Sequence, residues 1–358
     1  MNMKRKNIIL LFAIVATFAL LLGLIAFLTK ERVAINATNF PDENFRKFLL
    51  EQNFGEDGKL TTWETMTTNE MYLDSKNIKS LKGIEYFTAL KKLNCGINSL
   101  TSLDVSKNTA LTTLWCSHNQ LTSLDVSKNT ALTMLRCERN QLTSLDVSQN
   151  TALKVLDCGA NQLTSLNVSL NTALKELRCN GNRLTSLDVS KNIALMVLDC
   201  DENQLTTLDV SKNIALTDLR CIDNQLTSLD VSNNVVLDGL VCNRNQLISL
   251  DVSKNAALTE LYCSNNQLTS LDVSKNTALR ELFCSCNKIK GRAMDALIAS
   301  LPTVTSGKFS VIDTKNEKEG NVCTKSQVAV AKEKSWKVSD VNGNGENSQE
   351  YEGSDENQ

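Results

Sequence analysis

A 21-residue repeat occupies more than half of this 358-residue chain. Nine complete copies begin at every twenty-first residue from Leu90 to Leu258, and a broken tenth copy begins at Leu279. A repeat this short cannot bury a hydrophobic core by itself, so each copy must stack on its neighbours. The sequence therefore predicts one repeat solenoid rather than a pair of ordinary globular domains.

One copy, residues 111–131, reads LTTLWCSHNQLTSLDVSKNTA. Its apolar positions match neither the 3.6-residue period of a helix nor the alternation of one long strand. We expect a coil that makes one turn per copy, with a strand of the main parallel sheet at Leu114–Cys116 and a flatter extended segment at Leu124–Val126. The side chains expected to point inward are Leu111, Leu114, Cys116, Leu121, Leu124 and Val126.

The pattern LxxLxCxxNxLTxLDVSxNTA resembles the nested 21-residue class of bacterial leucine-rich repeats. Residues 90–289 match it, with departures such as Asn167 and Leu170. The flanking segments 36–58 and 287–353 resemble those of surface proteins from Bacteroides-like gut bacteria. The resemblance implies a leucine-rich-repeat solenoid, mostly β with turns and a short irregular convex side, that serves as a secreted or surface-exposed interaction module.

The chain is predicted to contain five segments, because the end coils of a solenoid need caps to cover their apolar core. The N-terminal cap should hold a helix within residues 41–52. The C-terminal cap should hold a helix at 291–301, a strand at 308–313, a second helix opened by a capping box at 324–327, and a strand near Trp336. The segments are a signal peptide or signal-anchor (1–37), an N-terminal cap (38–89), the solenoid (90–289), a C-terminal α/β cap (290–341) and a disordered acidic tail (342–358).

The N-terminus carries a targeting signal, in which the basic residues Lys4 to Lys6 precede an uncharged apolar run from Ile8 to Thr29. A run of this length can cross a bilayer as a helix, whereas a cleaved signal peptide usually has a shorter apolar core. Both alternatives stay open, and both place the rest of the chain outside the cytoplasm. We predict an exported protein, at the cell surface, in the periplasm, or anchored in the membrane through residues 8–29 if these are not cleaved.

Ten of the 12 cysteines lie 21 residues apart, from Cys95 to Cys284. This regular spacing favours small buried hydrophobic residues over a disulfide framework or a zinc site. The remaining two, Cys286 and Cys323, could form a disulfide that ties the last coil to its cap in an exported protein, or could stay separate thiols.

Two polar residues recur at the same interval. An asparagine recurs every 21 residues from Asn98 to Asn287. We expect these side chains to form a buried ladder that satisfies backbone groups at a tight turn. An aspartate recurs at the same interval from Asp104 to Asp272, except in the copy that has Asn167 at this position. Because the Gly-rich nonapeptides of calcium-binding β-helices are absent, each aspartate is expected to bond the local backbone rather than a metal ion.

The segment that ends at Glu64 resembles a degenerate EF-hand loop, with Asn53, Asp57 and Glu64 at ligand positions. Its third position is Gly55, which has no side-chain oxygen, and Glu64 also completes a capping box with Thr61. We therefore predict no metal site and no cofactor, and keep calcium at these three residues as the weaker alternative.

The strand residue between the inward leucine and the cysteine varies from copy to copy, and it must point outward because strand side chains alternate. Opposite charges on adjacent strands would stabilise a sheet by ~0.2–1 kcal/mol per pair without any ligand. Exposed aromatic residues and arginine, however, are enriched at binding hot spots. The residues predicted to contact a ligand are Trp115, Arg136, Asp157, Arg178, Asp199, Arg220, Val241, Tyr262 and Phe283.

Catalysis finds no support, because the single histidine, His118, has no triad around it and no nucleotide or metalloprotease motif occurs. A net charge of −2 gives no basic excess for nucleic acid. We predict a non-enzymatic, surface-exposed scaffold that binds an unidentified protein through these variable, outward-pointing strand residues. The alternatives are a glycan-binding adhesion module that stacks sugars on Trp115, Tyr262 and Phe283, and a passive structural spacer of the cell envelope.

Overall fold

The computed structural model describes residues 17, 18, 21, 23, 32–52, 55–342 and 349–355. The chain divides into two compact units, Met1–Leu132 and Thr133–Gln358. The apolar segment predicted at residues 8–29 lies almost wholly outside the described residues. Within the described part, no helix is long and apolar enough to pass through a membrane.

The first unit begins with a small cap that contains the helix predicted within residues 41–52. Asp42 caps this helix, because its side chain accepts a hydrogen bond from the backbone N–H of Phe45. Phe45 and Leu49 lie on the inner face of the helix and are fully buried. The elements of the cap are β1 (Arg32–Ala34), α1 (Glu43–Leu50), β2 (Lys59–Thr61), which pairs antiparallel with β1, and α2 (Thr62–Thr67).

Three parallel strands follow in the first unit, paired in register. The first of them precedes the repeat array, and a short 3-10 turn at Ile84–Tyr86 leads into the first full copy. In the coil of residues 111–131, the six side chains predicted to point inward are at most 8% exposed, which confirms the predicted core. The strands are β3 (Glu70–Tyr72), β4 (Lys92–Asn94) and β5 (Thr113–Trp115).

The second half of this coil contains no strand, and the expected second extended segment at Leu124–Val126 is seen only as a single parallel bridge. An isolated bridge between Asp104 and Asp125 is the β-pairing found there among the described residues. The backbone N–H of Ser127 donates to Asp125 Oδ1 (2.8 Å), and the N–H of Asn129 donates to the carbonyl of Val126 (2.9 Å). These local bonds replace a ladder, because an Asp side chain offers the backbone a partner closer than the next coil.

The second unit continues the repeat with eight three-residue strands, all parallel and paired in register. The middle leucine of each strand and the cysteine after it, such as Leu219 and Cys221, are fully buried. The strands are β6 (Met134–Arg136), β7 (Val155–Asp157), β8 (Glu176–Arg178), β9 (Val197–Asp199), β10 (Asp218–Arg220), β11 (Gly239–Val241), β12 (Glu260–Tyr262) and β13 (Glu281–Phe283).

A cap closes the second unit with the helices and strands expected from the sequence. Thr324 and Gln327 form the predicted capping box. Trp336 is 2% exposed and packs edge-on against Phe309, with ring centroids 6.3 Å apart. The elements are α3 (Arg292–Ser300), β14 (Gly307–Ile312), α4 (Lys325–Glu333) and β15 (Trp336–Asp340), and β14 and β15 extend the sheet in parallel from β13.

The prediction of a disordered tail over residues 342–358 is wrong for residues 349–355. Strand β16 (Gln349–Glu350) pairs antiparallel with β15. The hydroxyl of Tyr351 donates to the carbonyl of Cys323 (3.1 Å), and Lys332 forms an ion pair with Glu350 (2.8 Å). The segment has no apolar period, so its order depends on these specific contacts, which periodicity does not predict.

Candidate functional site

The candidate site is the outward face of the second unit. We define the outward face as the first and third residues of strands β6 to β13 together with the residue that follows the cysteine after each strand. These 24 positions point away from the leucine and cysteine core, because side chains alternate along a strand.

The central file of the outward face is formed by the third residues of the strands. Strand register places eight of the predicted contact residues side by side on consecutive strands. They are Arg136, Asp157, Arg178, Asp199, Arg220, Val241, Tyr262 and Phe283. The ninth predicted contact, Trp115, ends strand β5 in the first unit and is partly buried.

Two of the three arginines of the central file form ion pairs with neighbouring files rather than along their own. Arg178 pairs with Glu176 of its own strand (3.1 Å), and Arg220 pairs with Asp201 (2.9 Å). The alternation of charge along the file therefore does not produce ion pairs at these two arginines. The file's aspartates are left with weaker compensation than the sequence suggested.

Several carboxylates of the outward face lie where burial disfavours their charge. Asp157 is 9% exposed, and burial, followed by repulsion from Glu138, raises its pKa to about 6. Asp201 is 8% exposed, and burial, followed by repulsion from Asp199, raises its pKa to about 6 despite its bond to Arg220. Burial also raises the pKa of Asp199. The face thus holds negative charge at a cost to the stability of the fold.

We expect the free energy of unfolding to rise as the pH is lowered from ~7 to ~5. The folded-state pKa of Asp157 and Asp201 is about 6, above the ~3.9 of an unfolded aspartate. An acid with a raised folded pKa stabilises the fold below its unfolded pKa, and that contribution is lost as the pH rises through the folded value. Aspartates at the turns, such as Asp209, whose pKa is lowered by hydrogen bonds from Ser211, act in the opposite sense only below ~pH 4.

Urea unfolding across this pH range measures the trend, and Asp157→Asn should make it shallower while the contribution of Asp201 remains. The same variant should be more stable than the wild type near neutral pH, by no more than ~3 kcal/mol, the equivalent of two pKa units. A wild-type stability that falls steadily from neutral pH to ~5 would contradict this account of the face.

The C-terminal end of the central file is aromatic and rigid. The rings of Tyr262 and Phe283 stack with centroids 4.4 Å apart and planes 8° apart. The Tyr262 hydroxyl donates to Glu281 Oε2 (2.5 Å), and Lys308 Nζ lies 2.5 Å from Oε1 of the same carboxylate. Burial and the bond to Glu281 raise the pKa of Tyr262, so the phenol stays protonated at neutral pH. Both rings remain partly exposed, which gives a fixed aromatic platform.

Val241 is a weaker contact candidate than the sequence indicated. It lies between Arg220 and Tyr262 in the file, as predicted, but only 5% of it is exposed. Its side chain fills the space between its larger neighbours, so it supports the face more than it offers surface to a ligand.

The predicted asparagine ladder fixes the loop that follows each strand. Asn224 donates through Nδ2 to the carbonyls of Cys200 (3.0 Å), Cys221 (3.3 Å) and Ile222 (3.1 Å). Its Oδ1 accepts from the backbone N–H of Leu205 (2.9 Å). One amide thus joins two coils and holds the outward face in a single arrangement.

A second asparagine ladder was missed in the sequence analysis. Asn213 is fully buried, and its Nδ2 donates to the carbonyls of Val189 (3.0 Å) and Asn192 (2.9 Å). The signal for it was present, because this asparagine of the SKNTA segment occurs in every copy from Asn108 to Asn276.

The cysteines are free thiols in this structure, including Cys286 and Cys323, which are both buried. Burial raises the pKa of each of these two thiols to about 12. Burial raises the pKa of Cys95, the first of the regular column, to about 12 as well. Thiols of this kind are protonated at neutral pH and poorly nucleophilic.

The carboxylates of the EF-hand-like segment have other partners. Asp57 forms an ion pair with Arg32 (2.9 Å), and Glu64 accepts from the backbone N–H of Thr61 (2.6 Å) in the capping box. Asn53 lies outside the described residues. In the described part of the chain, no group of three or more His, Cys, Asp or Glu side chains is placed to hold a metal ion.

A second variable position, also missed in the sequence analysis, lies on the turns of the second unit. Ile193, Ile214 and Val235 replace the threonine found there in most other copies, and they are 62%, 61% and 53% exposed. The departure from threonine in four consecutive copies, the fourth with Ala256, was the signal. These residues are outside the outward face.

Comparison with known proteins identifies the repeat. A family model described as leucine rich repeats (2 copies) matches residues 109–150 and 256–297. A search of curated proteins gave no match.

Solved structures share the fold. The functional domain of InlJ from Listeria monocytogenes, which includes a cysteine ladder, is 39% identical with a TM-score of 0.69, and the match covers 73% of this chain and 58% of that one. This chain therefore spans less than two thirds of that structure. The internalin InlF of Listeria monocytogenes is 22% identical (82% and 98% covered, TM-score 0.64), and a leucine-rich-repeat protein of Leptospira interrogans is 20% identical (75% and 83%, TM-score 0.58).

Proposed function

This chain is a leucine-rich-repeat protein, and we propose that it is an exported, surface-exposed scaffold that binds a protein ligand through the outward face of its parallel sheet. Export is supported by the basic residues Lys4 to Lys6 and the apolar run after them. No catalytic role is part of the proposal.

The observation that carries the proposal is the aromatic pair at the end of the central file. Nothing in the repeat requires Tyr262 or Phe283, since other copies hold Arg or Asp at the same position. The two rings are fixed against each other and partly exposed. Large side chains with little freedom left to lose are favoured at protein interfaces, because ordering them on binding costs little entropy.

A protein ligand fits this platform better than a sugar. Because the rings are nearly parallel and in contact, each covers one face of the other. A sugar that stacks on an aromatic ring needs such a face free. The Tyr262 hydroxyl is also engaged by Glu281, so it is less available to sugar hydroxyls.

The proposal is tested by probing an array of extracellular and cell-surface proteins, and a glycan array in parallel, with the full chain. The double variant Tyr262→Ser/Phe283→Ser is expected to lose at least ~30-fold in affinity, equivalent to ~2 kcal/mol, for the proteins that the wild type binds. The matched control is Ile193→Ser/Ile214→Ser, which removes two exposed apolar side chains elsewhere on the second unit. It should bind as the wild type does.

Equal loss in both double variants would contradict the assignment of the face. Signals on the glycan array alone, lost in the aromatic variant, would favour the adhesion module. Signals on neither array would favour a structural spacer.

A further inference from the structure

The outward face carries an excess of negative charge. Eight of its 24 positions are acidic and three are basic, a net charge of −5, whereas the whole chain has a net charge of only −2. Two of the three arginines, Arg178 and Arg220, already pair with carboxylates of the face. The acidic positions are Glu138, Asp157, Glu176, Asp199, Asp201, Asp218, Glu260 and Glu281.

Asp218 is, with Glu138, one of the carboxylates of the outward face that have a buried oxygen without a hydrogen-bond donor in the described part of the chain. Its Oδ1 is buried and accepts no hydrogen bond from the described residues. Burial raises the pKa of Asp218 even though Arg220 lies nearby and acts to lower it. A partly buried carboxylate with an unpaired oxygen is stabilised when a cation lies close to it.

The strand beside Asp218 has a glycine where its neighbours have acids. Register places Gly239 between Asp218 and Glu260, and the Asp218 carboxylate leans over it. A Cβ added at Gly239 would lie 3.4 Å from Asp218 Oδ2. Two strand spacings separate the flanking acids by ~10 Å, which leaves room for one long side chain between them. Tyr262 of the central file lies diagonally across from Gly239, on the strand that carries Glu260.

We propose that this gap, the Gly239 notch, receives a lysine or arginine side chain of the protein partner, with Asp218 and Glu260 as its acceptors and Tyr262 beside it. The inference rests on the proposed function and assigns the chemistry of the partner: a basic segment. A cationic side chain there would pair with the Asp218 carboxylate through Oδ2, which lies on the Gly239 side, offset the surplus charge of the face, and lie near the aromatic platform, where cations are attracted to ring faces.

The test is selection of a random 12-residue peptide library on the immobilised full chain. Enriched peptides should be rich in lysine and arginine. Their affinity should fall at least ~10-fold in Gly239→Lys, because the new ammonium would occupy the notch from within the chain. The backbone at Gly239 is not in the left-handed region, so a lysine there is not strained.

The matched control is Gln225→Lys, which makes the same change of charge at an exposed position outside the outward face. It should alter peptide affinity less than ~2-fold. An equal loss of peptide affinity in both lysine variants, enrichment of neutral or acidic peptides, or no enrichment would each contradict the proposal that the notch binds a cationic side chain. So would displacement of the peptides by 1 mM calcium chloride in preference to 1 mM arginine amide, since the site would then be a metal site.

The two proposals fail in different ways. If Tyr262→Ser/Phe283→Ser abolishes binding to an array protein while Gly239→Lys does not, the face binds a protein but the notch does not take a cation. If the binding of basic peptides is lost in Gly239→Lys but no array protein depends on the aromatic pair, the notch binds a cation and the aromatic platform does not bind a protein.

Discussion

Asn224→Ala is expected to lower the free energy of unfolding by about 3–5 kcal/mol. The change removes three hydrogen bonds from Nδ2 to backbone carbonyls and one from the N–H of Leu205 to Oδ1. The site is 8% exposed. The N–H of Leu205 is left buried without a partner, which costs ~1–3 kcal/mol. The three carbonyls keep other donors, namely Asn203, Asn245 and the backbone N–H of Glu202, so each bond lost there costs only ~0.5–1 kcal/mol.

Urea unfolding of the second unit's repeats, followed by circular dichroism, measures this loss. The control is Gln225→Ala, the next residue, which is exposed and should change the free energy of unfolding by less than ~0.5 kcal/mol. A loss below ~1 kcal/mol at Asn224 would show that the ladder is dispensable and that leucine packing alone holds the coils.

Asn213→Asp is expected to be still more disruptive near neutral pH, with a loss of at least ~4 kcal/mol. The substitution keeps the shape of the side chain but replaces a donor with a carboxylate oxygen. That oxygen would face the carbonyls of Val189 and Asn192, which now accept from Nδ2 at 3.0 and 2.9 Å. The site is fully buried, so the charge would have neither water nor a cation to stabilise it.

The same isosteric change at Asn233, an exposed residue nearby, is the control and should alter stability by less than ~0.5 kcal/mol. Lowering the pH to ~5 should restore part of the stability of Asn213→Asp, because a buried carboxyl prefers its neutral form. A variant at Asn213 as stable as the one at Asn233 would refute the role of the second ladder.

The fold was predictable from the sequence because the same 21-residue pattern occurs in nine complete copies, each of which predicts the same coil. A 21-residue period with fixed leucines predicts one coil per copy. Strand alternation then determines which side chains point outward, as the full burial of Leu114 and the partial exposure of its two neighbours show. The second half of the coil forms a single parallel bridge at its Leu-Asp-Val segment rather than a second ladder. There the side chain of Asp125 replaces the ladder with a local bond to Ser127.

The sequence predicted which residues line up along the central file, but it did not predict which side chains contact one another. Register alone aligned Arg220, Val241 and Tyr262, as expected. Which carboxylate an arginine reaches depends on side-chain rotamers, so the pairing of Arg220 with Asp201 in the neighbouring file had no signal in the sequence. The burial of Val241 likewise follows from the size of its neighbours, which no periodicity encodes.

The ordered segment at residues 349–355 shows the same limit. Its residues are polar and lack a period, which is typical of disorder. The hydroxyl of Tyr351 and the ion pair of Glu350 with Lys332 nevertheless hold it on the C-terminal cap. Order that depends on a few specific contacts is not visible in composition.

The central claim is that the positions the copies share build the coil, and that the outward face, where they differ, binds a protein. Site-specific photo-cross-linking tests it most directly. Benzoylphenylalanine would replace Phe283 in one variant of the full chain and Ile214, which is exposed outside the face, in another. Each variant would be irradiated with the array protein that binds the wild type most tightly. We predict a covalent adduct from position 283 and none from position 214; an adduct from 214 alone, or equal yields from both, would contradict the claim.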